Sequence, residues 1–149
     1  MAKDIAGWRM KVVADNVLFV VGFGVWDTAK AQVFCDEYKE LSADFGEEPW
    51  AVLGDATDWI LDDVKVQEII QEQNRWIVSA GCRAGCFYTG PGALNRLLLY
   101  RLAEPDSDSY KFRVYPDRMR AVQALMDAGF PITDPQLNRF FRGEGSRPE

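Results

Sequence analysis

The residues of this 149-residue chain best suited to chemistry are carboxylates, aromatic rings and one glycine turn, because histidine is absent. Without imidazole, Ser-His-Asp and Cys-His hydrolysis, histidine proton shuttling and nearly all ordinary zinc, copper and non-haem iron sites drop out. Asp55, Asp58, Asp62 and Asp63 form the densest carboxylate group, and oxygen ligands suit magnesium or calcium. Their spacing does not follow the D-x-[DN]-x-[DN]-G calcium loop. Nor does it follow a receiver domain, which would place an acidic pair after its first strand and a Lys late in the sheet. Asp62 or Asp63 is therefore read as a helix cap, the others as solvated charges, and neither a metal nor a cofactor is expected.

Two further groups could bind a ligand. In Thr89-Gly90-Pro91-Gly92, followed by Asn95 and Arg96, free backbone N–H groups at a helix start would favour an anion, and glycine would admit close approach. The segment has neither the G-x-x-x-x-G-K-[ST] nor the G-x-G-x-x-G pattern, and a plain tight turn explains it fully. Trp26, Trp59 and Tyr88 each lie at or just past the end of an expected strand, where aromatics could line an apolar pocket. Trp50 and Trp76 read as core, whereas Trp59, in an acidic stretch, reads as exposed. Cys35, Cys82 and Cys86 are odd in number and include no C-x-x-C pair. They fit buried hydrophobes in a reducing cytoplasm.

Charge narrows the partners. The net value is −6, with thirteen acidic residues against three lysines between Asp27 and Glu72, and eleven basic against eight acidic residues from Gln73 onward. An acidic total disfavours nucleic acid, which requires a basic face. The opening MAKDIAGWRMK is charged and broken by Gly7, unlike a secretory leader. The uncharged apolar stretch Val17 to Trp26 is about half of what a membrane-spanning helix requires. A cytoplasmic protein with no transmembrane segment is expected.

The elements that must position these residues follow from periodicity. Trp8 to Ala14 and Val17 to Val25 alternate as strands around an Asp15-Asn16 turn, which predicts a hairpin. Asp27 or Thr28 caps a helix to about Phe45, with Ala31, Phe34, Tyr38, Leu41 and Phe45 on one stripe and Gly46 as its stop. Trp50 to Leu53 reads as a short strand ending at Gly54-Asp55, and Ala56 to Asp63 as a loop. A helix follows from about Val64 to Ala80, with Val66, Ile70, Gln73 and Ile77 on one stripe. Ala84 to Thr89 is a strand, and Gly90-Pro91 opens a helix carrying Leu94, Leu97, Leu98 and Leu102. Lys111 to Tyr115 is the last strand. Pro116 or Asp117 then opens a helix through Ala128, with Val122, Leu125 and Met126 inward and Gly129-Phe130 closing it. Residues 1–133 are read as one domain, and 134–149 as a short, partly flexible tail with one possible helical turn at Leu137, Phe140 and Phe141.

The order β-β-α-β-α-β-α-β-α implies an α/β fold: a mixed, mostly parallel five-stranded sheet with an antiparallel edge strand and four helices. The hairpin entry, WAVLGD, the long second helix and the closing KFRVYPDRMRAVQALMDAGF resemble the SpoIIAA-like fold of bacterial STAS-type regulatory domains. That fold is related in topology to SEC14-like lipid carriers. The resemblance spans about Trp8 to Phe130 and rests on pattern. It implies a non-enzymatic regulatory or protein-interaction domain. STAS antagonists of anti-sigma factors carry a phosphorylatable Ser or Thr after the central strand, commonly in an Asp-Ser-Ser-Gly context. Here that stretch is Gly54-Asp55-Ala56-Thr57-Asp58, with Thr57 its single hydroxyl and the second Gly missing, so the phosphorylation cycle does not carry over. The expected working surface is the mouth formed by Trp26, Asp55, Thr57, Trp59, Tyr88, Gly90, Gly92, Asn95 and Arg96, at the carboxyl ends of the strands. It would serve a protein partner, with a homodimer among the assemblies considered. The alternative is a binder or carrier of a small apolar or anionic ligand at the same mouth.

Overall fold

The computed structural model describes residues 6–90 and 93–133. Strands β1 (Gly7–Ala14) and β2 (Val17–Val25) form the expected antiparallel hairpin. Helix α1 (Thr28–Ser42) follows, capped by the Asp27 carboxylate, which accepts from the Lys30 N–H at 2.8 Å. A 3-10 turn (Ala43–Phe45) extends it to Gly46, whose φ of 62° permits the reversal. The remaining elements are β3 (Trp50–Ile60), α2 (Val64–Ser79), β4 (Cys82–Tyr88), α3 (Ala93–Leu102), β5 (Lys111–Tyr115) and α4 (Arg118–Asp127). Asp63 and Asp117 cap α2 and α4. The tail from residue 134, with its expected turn at Leu137, Phe140 and Phe141, lies outside the described residues.

The sheet runs β1-β2-β3-β4-β5, with β1 antiparallel and the other four parallel. Crossovers of one hand between successive neighbours bring the connecting helices to the same face. Accordingly α1, α2 and α3 pack on one face, over Leu18, Val20, Val52, Cys82 and Phe112. Of the described helices α4 alone packs on the other, setting Ala121 and Leu125 against Phe19, Ala51, Leu53, Ala84 and Cys86. All three cysteines are free and buried, and burial pushes the Cys82 and Cys86 thiols up to about 12. Met126, expected inward, is 44% exposed, because α4 buries the Ala121–Leu125 stripe instead.

The main departure from the expected elements is β3. It continues through Asp55 to Ile60, where a loop was expected, and a bulge allows it. Val21 pairs with Asp55 but Phe23 pairs with Asp58, so β3 carries one extra residue there. The backbone groups this displaces are satisfied by side chains. Asp55 Oδ1 accepts from the Thr57 N–H at 2.9 Å, and Asn95 Nδ2 donates to the Ala56 carbonyl at 2.9 Å. The inserted residue reverses the alternation, which turns Trp59 and Leu61 onto the three-helix face.

Candidate functional site

The strand ends do form a groove, but not from the full set of residues expected. It has a volume of about 840 Å³. Its floor is Phe23 and Gly24 from β2, Trp59 from β3, Leu61 and Leu98, and its rims are Ile60 on one side and Leu94 with Asn95 on the other. Thr57, Asp58 and Asp62 complete the lining. Helix α3 is held over the sheet by Asn95 on the Ala56 carbonyl and by the Tyr100 hydroxyl, which accepts from the Val114 N–H at 2.9 Å. At the far end, Gln67 donates to the Leu61 carbonyl and accepts from Arg101, which ties α2 to α3.

Thr57, Trp59 and Asn95 line this groove together, and Gly90 lies beside Thr57. Trp26 does not line the groove. It is 2% exposed, T-shaped against Trp8 and Phe34 and tilted against Trp59, and its indole N–H donates to the Gly7 and Phe23 carbonyls. Asp55 and Tyr88 pair in register on the α4 face, the opposite side of the sheet. Burial first, then the negative charge of Asp55 and the hydrogen bond its carboxylate accepts, raise the Tyr88 hydroxyl far above its usual range. Gly92 lies outside the described residues, and Arg96 is exposed on α3. Trp59, expected to be exposed, is only 5% so. Its ring lies over Gly22, where a Cβ would come within 2.5 Å of the indole.

Sequence reasoning missed the aliphatic part of the site. Leu94 and Leu97 are 82% and 63% exposed, whereas Leu99 and Leu102 are buried. Leucines at 94, 97, 98, 99 and 102 surround α3, an excess over one core-facing stripe that could have signalled the second contact face. Among the described residues no group of three or more Cys, Asp or Glu could hold a metal ion. Asp63 is occupied as the α2 cap and Asp55 in the bulge.

Beneath Trp59 lies a second, enclosed space of about 20 Å³, walled by Phe34, Tyr38, Gln73 and Phe112. By volume it admits a single water and no larger ligand. The Trp59 indole N–H and the Gln73 amide nitrogen are buried with no hydrogen-bond partner among the described residues. Leaving such a group unpaired costs about 1–3 kcal/mol. Gln73→Met keeps the length and removes the amide, so it should raise stability by about 1 kcal/mol, or about 2–4 °C at this chain size. Differential scanning calorimetry checks this, and a lowered midpoint would show the amide to be satisfied.

No protein-family model and no curated protein matches the chain. No described helix is long and apolar enough to cross a membrane. Fold and groove define a mixed α/β domain with an open apolar cleft at the carboxyl ends of its parallel strands.

Proposed function

We propose that this chain is a non-enzymatic, cytoplasmic regulatory domain of STAS or SpoIIAA-like type that acts by binding a partner protein at the strand-end groove. The observation that carries the reading is the exposure of Leu94 on the lining of an apolar cleft, with Leu97 exposed on the same helix. Fully burying a leucine is worth about 1.5–3 kcal/mol, so one left in water on the lining of a cleft marks a surface completed by something else. The groove's polar lining offers no nucleophile paired with a base. The sequential strand order with an antiparallel first strand supports the fold resemblance.

A small apolar ligand is the second reading, favoured by the groove volume of about 840 Å³, which falls in the range of ligand pockets. An anionic ligand is disfavoured, since Asp58 and Asp62 line the groove and no cation does. Leu94→Asp with Leu97→Asp should leave the unfolding free energy within about 0.5 kcal/mol of wild type, as exposed positions do. The same double variant should lose whatever protein the wild type retains from a native lysate. A partner retained undiminished by it would remove the groove from the reading.

A further inference from the structure

We infer that the segment this groove accepts is a stretch of a partner protein carrying large aliphatic side chains flanked by Lys or Arg. The inference rests on the groove being the binding surface and adds the chemistry of its occupant. The apolar floor and rims, from Phe23 and Trp59 to Ile60 and Leu94, call for aliphatic side chains. The polar boundary is one-signed: Asp58 and Asp62 line the groove, both are exposed, and no basic residue joins them. Lys65, Arg96 and Arg101 lie outside the lining, and Arg101 donates to the Gln67 side chain. A field of this sign steers a basic segment inward and repels an anionic lipid surface or a nucleic acid. The bulge keeps the border in place, because it leaves Asp58 exposed while Trp59 turns beneath the groove.

The test uses the full chain and two synthetic peptides of equal length, one of Leu and Lys and one of Leu and Glu, followed by amide chemical-shift perturbation. The Leu–Lys peptide should perturb Ile60, Leu94 and Asn95 and bind about tenfold tighter than the Leu–Glu peptide, a difference two exposed carboxylates can supply. Raising the salt from about 0.05 to about 0.5 M should shrink that preference, since exposed charges are screened. Asp58→Asn with Asp62→Asn should abolish the preference, while Glu40→Gln with Asp44→Asn, on the exposed side of α1 and its 3-10 turn, should keep it. Leu94→Asp with Leu97→Asp should weaken both peptides. Equal binding of both peptides at the groove would overturn the charge preference and leave the groove reading standing. Perturbations elsewhere, or anionic vesicles sedimenting the protein in a Leu94-dependent manner, would overturn the inferred partner itself.

Discussion

Trp59→Ala should destabilise the protein by about 3–5 kcal/mol, the cost of emptying a large aromatic site in a packed core. The reason lies in what surrounds the ring. Trp59 is 5% exposed, with ring centroids at 4.8 Å from Trp26 and 5.9 Å from Phe34, and it covers the bare backbone of Gly22. The loss should match that of Trp50→Ala. Trp50 is 1% exposed, stacks on Phe45 at 5.2 Å and donates its indole N–H to the Ala80 carbonyl. At about 2–4 °C per kcal/mol for a chain of this size, both variants should melt on the order of 10 °C or more below wild type. Urea unfolding of the two side by side decides the matter. If Trp59→Ala loses less than about a third of what Trp50→Ala loses, the indole is a surface group and the strand assignment through Ile60 fails. Because Trp59 is also part of the groove floor, its loss would weaken partner binding through the fold as well. Leu94 and Leu97 are therefore the cleaner probes of function.

The second large effect is at Gly22. A Cβ built there meets three atoms of the Trp59 indole, at 2.5, 2.7 and 2.9 Å. The ring cannot slide away freely, since Trp26 and Phe34 pack against it. Gly22→Ala should therefore cost about 1–3 kcal/mol or slightly more, the usual range for overpacking. Replacing the indole with a shorter, flexible side chain should relieve the clash. Gly22→Ala with Trp59→Leu should be more stable than the sum of the single losses predicts, with a coupling of about 0.5–3 kcal/mol, as for residues in direct contact. A double-mutant cycle from denaturant midpoints measures this. Strict additivity would mean that Trp59 does not lie on Gly22, and the register beyond the bulge would need redrawing.

Local patterning made most of the fold legible. The hairpin could be read because Trp8 to Ala14 and Val17 to Val25 alternate around Asp15-Asn16, and a period of two with a turn between admits few other structures. Helix α1 could be read because Ala31, Phe34, Tyr38 and Phe45 share one face between the Asp27 cap and Gly46. Strand–helix alternation then led to a mostly parallel sheet with an antiparallel edge. Each of these signals lies within a few residues along the chain. The mouth at the carboxyl ends also followed from topology, and Thr57, Trp59 and Asn95 do meet there.

What one dimension could not reveal is how two strands and a helix share the backbone groups of one segment. The run GDATDWI reads as a turn and an acidic loop, because Gly, Asp and Thr side chains favour bends. It continues as a strand because β2 and Asn95, distant in sequence, supply hydrogen bonds that the isolated segment lacks. The bulge those contacts allow inserts one residue, and one residue is enough to exchange the faces of every side chain beyond it. That inversion turned Trp59 from an expected ligand contact into core and left Asp55 and Tyr88 on the opposite side of the sheet. Ile60 and Asp58, exposed between the buried Trp59 and Leu61, line the groove together with Leu94 of α3. Periodicity settles what each segment is, because backbone preference and burial act locally; which side chains share a surface depends on register between distant strands, which tertiary packing alone selects.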